Sequence, residues 1–173
     1  MSINKVVYFL ISILSVIFSI DRDFQDSNSN GQWDPGEHLS KSSKQDKFIT
    51  IGGAVTEIIF ELGFGNSVIA VDQSSTFPPE VKKLPEIGYI RMISSERVLS
   101  KFPKRVFTTK DMAPKTAVKQ LKESPIDFKI YDSPKTIEGT FELIDQLSVE
   151  LEVADLGNII KDNIKADIKK INN

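Results

Sequence analysis

Apolar residues are spread along this chain in three ways, and each predicts a different kind of structure. From Val6 to Ile20 they form an almost unbroken run, interrupted by Ser12, Ser15 and Ser19. From Asp21 to Asp46 the chain is polar and poor in aliphatic residues. From Lys47 onward, short apolar runs bounded by Gly, Pro or Asp alternate with stretches in which apolar residues recur every three or four positions. The short runs read as buried strands. The longer periodic stretches read as helices with one face in a core.

In order, Lys47-Phe48-Ile49-Thr50-Ile51 predicts a strand and Gly52-Gly53 a turn. Val55, Ile58, Ile59 and Leu62 share one helical face, and Gly63 stops that helix. Val68-Ile69-Ala70-Val71 predicts a second strand, ended by Asp72, before a Ser/Thr/Pro-rich loop through Pro78-Pro79 to about Arg91. Ser94 or Ser95 can cap a short helix running to Lys101, with Pro103 just beyond it. Arg105 to Thr109 is a third strand, Pro114 opens a helix to about Glu123, and Phe128 to Tyr131 is a fourth strand. Ser133-Pro134 then starts a helix carrying Ile137, Phe141, Ile144 and Leu147. Strands alternating with helices give an α/β fold with a parallel, doubly wound sheet. After Gly157, the residues Ile160, Ile164, Ile168 and Ile171 form one stripe, which needs a partner that the chain ends without supplying.

Composition narrows the function. A formal net charge of −2, with lysines scattered through amphipathic stretches, gives no basic footprint for nucleic acid. With no cysteine there is no disulfide framework, thiolate metal site or lipid-modified N-terminal cysteine. The single histidine, His38, cannot build a multi-histidine metal site. It also lies in a Ser/Asp/Gly-rich segment that offers no platform for a serine–histidine hydrolase. Gly52-Gly53 after a strand falls short of a dinucleotide fingerprint. The third glycine is absent, and Thr56-Glu57 would place a carboxylate against the phosphates.

The first two regimes lie outside this α/β region. Lys5 followed by Val6–Ile20 suits a secretory signal peptide, or an N-terminal anchor left uncleaved, since Val16-Ile17-Phe18-Ser19-Ile20 lacks a clean small-x-small site. Both readings put the rest of the chain outside the cytoplasm. Asp26-Ser27-Asn28-Ser29-Asn30-Gly31-Gln32-Trp33-Asp34-Pro35-Gly36-Glu37 matches D-x-[DN]-x-[DN]-G-x₅-E in full. As an EF-hand-like loop it would bind Ca²⁺ through Asp26, Asn28, Asn30, Asp34 and a bidentate Glu37. Gln32 would contribute its backbone carbonyl, and Gly31 would permit the sharp turn. No flanking helices are evident, and a polar linker rich in Asp and Asn is the alternative.

The run Ile49-Thr50-Ile51-Gly52-Gly53-Ala54-Val55-Thr56-Glu57-Ile58-Ile59 resembles the opening of periplasmic haem-binding proteins of ABC importers, in the class III substrate-binding protein family. The likeness continues in register. It takes in Val71-Asp72 with Ser74-Ser75-Thr76-Phe77-Pro78, then Leu84-Pro85-Glu86-Ile87-Gly88-Tyr89-Ile90-Arg91, then Ser94-Ser95-Glu96-Arg97-Val98-Leu99-Ser100. It covers roughly residues 47 to 155. The resemblance implies two α/β lobes joined by a long helix, with haem between them. This chain would supply a signal peptide or anchor (1–20), the polar linker (21–46), the N-terminal lobe (47–155) and the start of the inter-lobe helix (156–173).

The resemblance further implies that Tyr89 is the axial ligand of haem iron and Arg91 its hydrogen-bond partner. The chemistry suits this pair. Ferric iron is a hard cation that takes a phenolate, and a guanidinium in reach helps to stabilise the anion. If the segment is extended, residues two apart share one face, so Tyr89 and Arg91 would point together. Glu96 matches the region where relatives meet their membrane permease, and it is equally a first-turn glutamate of the kind a helix dipole favours. The expected function is capture of haem outside the inner membrane and delivery to an ABC permease, with no reaction catalysed. A cobalamin or iron–siderophore carrier of the same fold, or a calcium-stabilised interaction module without a ligand cleft, are the alternatives.

Overall fold

The computed structural model describes residues 47–171. Each short apolar run in that region becomes a strand: β1 Phe48–Ile51, β2 Val68–Val71, β3 Arg105–Thr109 and β4 Asp127–Tyr131. They form one sheet in the order β2-β1-β3-β4, and every pairing is parallel. Between and after them lie α1 Gly53–Ile59, α2 Ser95–Leu99, α3 Lys115–Lys122, α4 Ile137–Glu150 and α5 Ala154–Ile171. Helix α1 continues as a wider turn over Phe60–Phe64 and stops at Gly63, whose φ of 83° is left-handed.

Alternation along the strands splits the core in two. Phe48 and Phe107 face one side, meeting edge-on with ring centroids 5.2 Å apart, and pack with Val55, Ile59, Leu143 and Leu147 of α1 and α4. Ile49, Ile51 and Val106 face the other side and pack with Val98, Ala117 and Leu121 of α2 and α3. Helices therefore cover both faces, and β1 and β2 are buried along almost their whole length, whereas the edge strand β4 (Asp127-Phe128-Lys129-Ile130-Tyr131) alternates and is only half-buried. Among the described residues, no helix is long and apolar enough to cross a membrane.

Two helix boundaries differ from the sequence reading. Helix α4 begins at Ile137, because Thr136 accepts the Gly139 N–H at 3.0 Å and is the true cap, so Ser133-Pro134 stays outside the helix. Helix α5 begins at Ala154, so Gly157 lies inside it. A Cβ on Gly157 would stand 2.7 Å from Ser148 Cβ, so its bareness lets α5 cross close to α4. That crossing corrects the expectation of an unpartnered stripe for its first two isoleucines only. Ile160 is buried and Ile164 packs on the same core, while Ile171 is left exposed.

Candidate functional site

Strands β1 and β3 lie side by side at the centre of the sheet. The chain leaving β1 enters α1 on one face, whereas the chain leaving β3 enters α3 on the other. A crevice opens where such connections diverge, outside the C-terminal ends of the strands. Here it is an open depression of about 280 Å³, lined by the segments that follow all four strands: Gly52 to Ala54, Ser74, Thr109 with Asp111, and Ser133-Pro134. Tyr89, Ile90 and Arg91 complete it. That volume lies near the lower end of small-molecule pockets, roughly 300–1,000 Å³. The depression is a wall for a ligand to lie against and does not enclose one.

The floor is bare backbone. Gly52 has φ 106°, outside the range of L side chains, and a Cβ there would come within 3.3 Å of Ile90 Cδ1. A Cβ on Gly53 would come within 3.3 Å of the Ser74 carbonyl oxygen. The two glycines thus permit both the turn and the close approach of the neighbouring loops.

Tyr89 is carried on a segment tied down along its length. On one side, the Val71 N–H donates to Pro85 O (3.0 Å), the Ile87 N–H to Val71 O (2.9 Å) and the Gln73 N–H to Gly88 O (2.9 Å). On the other, the Ala113 N–H donates to Ile90 O (2.9 Å) and the Ile93 N–H to Ala113 O (3.0 Å). Ile87 and Ile93 are buried and pin the two ends, so the residues between them project outward. Tyr89 is 45 % exposed and Met92 78 %. The expectation of an extended segment holds at Tyr89 (φ −86°, ψ 141°) and is corrected from Ile90 onward. Ile90–Met92 is a 3₁₀ turn closed by the Met92 N–H donating to Tyr89 O at 2.7 Å. At three residues per turn, positions two apart do not share a face. Both residues line the depression, and no hydrogen bond joins their side chains.

Three contributors to this wall were not read from the sequence. Asp111 places a carboxylate on the same depression as Arg91. Ser133 lines it with a hydroxyl that is buried and without a hydrogen-bond partner. Asp72 lies beneath it, fully buried. No single residue marks Asp111 or Ser133 in sequence; only their position just after a strand does. Glu96 is exposed in the first turn of α2, whose cap is Ser94 (Arg97 N–H to Ser94 Oγ, 3.3 Å), and it does not line the depression. Among the described residues, no group of three or more His, Asp or Glu is placed to hold a metal ion. The calcium-loop residues Asp26, Asn28, Asn30, Gln32, Asp34 and Glu37, as well as His38 and the apolar run Val6–Ile20, lie outside the described residues.

No protein-family model matches the chain. Among curated proteins it is 26 % identical, over 72 % of its length, to an uncharacterized ABC transporter substrate-binding lipoprotein, YvrC, of Bacillus subtilis, of which it covers 40 %. It is 27 % identical, over 64 % of its length, to the vitamin B12-binding protein of Vibrio cholerae, again covering 40 %. Among solved structures, the periplasmic heme-binding protein RhuT from Roseiflexus sp. RS-1 superposes with a TM-score of 0.69 at 31 % identity, over 72 % of this chain and 48 % of that one. The chain thus spans about half, or less, of the length of these relatives. Each is named for binding a substrate and none for catalysis. The order of strands, the crevice at their C-terminal ends and these likenesses together match the fold of the N-terminal lobe of such substrate-binding proteins.

Proposed function

We propose that this protein binds haem outside the cytoplasm and passes it to an ABC permease, with Tyr89 as axial ligand to ferric iron and Arg91 beside it. The observation that carries this reading is the half-exposed Tyr89, held on a tied segment in the cleft with no partner for its hydroxyl among the described residues. Haem iron has axial positions to fill and is hard in its ferric state, so a phenolate is chemically apt. The bare Gly52-Gly53 backbone and Ile90 offer a flat, uncharged surface for a planar ring. Cobalamin is the competing ligand within this family. Its cobalt arrives already coordinated, which leaves a presented phenol without a task. Equilibrium titration with hemin and with cyanocobalamin separates the two: the haem reading expects saturable hemin binding and none of comparable strength for cobalamin. The reverse order would overturn it.

Two further parts of the reading rest on sequence. Export, by a signal peptide or an uncleaved anchor within residues 1–20, is consistent with relatives named as periplasmic or lipoprotein, and Glu96 is assigned to the permease contact. The loop from Asp26 to Glu37 is assigned to Ca²⁺. Trp33 lies within it and is the only tryptophan. Added calcium should therefore change tryptophan fluorescence, and Glu37→Ala should remove the response. No change up to the millimolar range of extracellular sites would reduce this segment to a linker.

A further inference from the structure

Asp72 follows strand β2 and is fully buried, yet among the described residues no cation is paired with it. Its charge is met entirely by hydrogen bonds, and every donor belongs to a loop of the cleft. Oδ1 accepts the Gly52 N–H at 2.7 Å and the Ser75 hydroxyl at 2.7 Å. Oδ2 accepts the Ser74 N–H at 3.0 Å and the Ser74 hydroxyl at 2.5 Å. A chain of hydroxyls stands behind these. Ser75 Oγ lies 2.7 Å from Thr56 Oγ1, which lies 2.8 Å from Thr50 Oγ1. A serine has one hydroxyl proton, and that of Ser75 goes to the carboxylate; Thr56 Oγ1 has two acceptors in reach, Ser75 Oγ and, at 3.2 Å, Gly52 O. The hydroxyls thus link the buried carboxylate to the Gly52 backbone a second time, in a network whose bonds polarise one another.

Two routes lead from this carboxylate to Tyr89. The first passes through Gly52, whose amide Asp72 holds, to Ile90, whose Cδ1 rests over Gly52 within contact distance of any Cβ placed there. The second passes through the turn after Asp72, where the Gln73 N–H donates to Gly88 O at 2.9 Å. Gly88 and Ile90 are the two chain neighbours of Tyr89. We infer that Asp72 is a positioning residue of the binding site, fixing the residues on both sides of Tyr89 so that the phenol is presented at one place and angle in the cleft.

This inference rests on the haem reading for its ligand, so the experiment has one arm with hemin and one without ligand. Hemin is titrated into the wild type, Asp72→Ala, Asp72→Asn and Ser75→Ala, each first shown to be folded by circular dichroism and thermal unfolding. Tyr89 ligation is expected to give charge-transfer bands in the wild type. Asp72→Ala should weaken hemin binding roughly tenfold or more, the scale seen when partners that orient a metal ligand are removed, and should lose or shift those bands. Asp72→Asn keeps an acceptor oxygen for Gly52 and should recover part of the affinity, and Ser75→Ala should fall between. A purely structural role would lower the unfolding temperature and leave the spectrum of the folded fraction unchanged. A folded Asp72→Ala with wild-type affinity and bands overturns the inference. If Asp72→Ala does not fold, Ser75→Ala carries the same two outcomes at smaller amplitude. If the wild type binds no hemin, the haem reading fails. Hydrogen exchange then decides the role of Asp72: faster exchange at Gly52, Ile87 and Ile93 in the variant supports the tie, and unchanged exchange refutes it.

Discussion

Two aromatic side chains stand exposed at opposite ends of the same sheet. Tyr89, 45 % exposed, lies at the C-terminal ends of the strands near Arg91, and Phe102, 81 % exposed, lies at the N-terminal end between Lys101 and Lys104. In sequence the two look alike, an aromatic residue with basic neighbours. Their backbones differ. Tyr89 has an ordinary φ of −86° on a segment bonded to the chain beyond β2 on one side and beyond β3 on the other. Phe102 has φ 51° just after α2, where glycine or asparagine is the usual occupant. The first side chain projects from a fixed frame into a concave surface; the second projects from a strained turn. Exposure alone does not mark a site. A held backbone, a concave wall and an unpartnered polar atom together do.

The sharpest way to break the frame is at its floor. Gly52→Val forces a β-branched residue into φ 106° and against Ile90, and should cost about 3 kcal/mol of stability, as such strained positions do. Chemical denaturation would measure it, and a cost below about 1 kcal/mol would mean that the Gly52–Ile90 contact is slack. Next in size is Arg91→Ala. Loss of a charge-assisted contact to the bound ligand should weaken hemin binding by about 1.5–3 kcal/mol without altering the fold. Isothermal titration would read this, and unchanged affinity would remove Arg91 from the site.

The contrasting region should respond in the opposite direction. Phe102→Gly relieves a left-handed residue and removes an exposed aromatic, so it should be neutral to stabilising by up to about 1 kcal/mol, with hemin binding unaffected. Reduced hemin binding in that variant would mean that the two ends are coupled. The smallest effect lies outside both regions. Burial, and then the neighbouring Glu57, raise the pKa of Glu61 above its ordinary 4.5. The folded state thus favours the protonated form, and that stability is present below pH 4.5 and lost as pH rises through the raised value. Glu61→Gln should therefore raise the unfolding temperature at pH 7 and leave it unchanged at pH 3. Equal shifts at both values would rule out the titration.

The fold was largely legible because the strands β1 and β2 are buried on both faces. Val68–Val71 is a continuous apolar run and Phe48–Ile51 is broken only by Thr50, and Gly52 and Asp72 end them visibly. The start of α4 was less so, since Ser133-Pro134 imitates a cap while Thr136 forms it. Tyr89 and Arg91 could be proposed from neighbouring motifs, but their geometry could not be read. Whether a segment runs extended or closes into a 3₁₀ turn depends on one local bond, Met92 N–H to Tyr89 O, that no periodicity records. Asp111 and Ser133 enter the site only through the order of strands in the sheet, and Asp72 only through donors from Gly52, Ser74 and Ser75.

Tyr89→Phe tests the central claim most directly, because it removes one oxygen and keeps the ring, its exposure and the bonded frame. Hemin should be added in equal amounts to wild type and variant, with absorption spectra recorded from the Soret region to the charge-transfer bands. Bands of high-spin tyrosinate ligation are expected in the wild type and their loss in Tyr89→Phe, with the unfolding temperature unchanged. Identical spectra from the two proteins would contradict it.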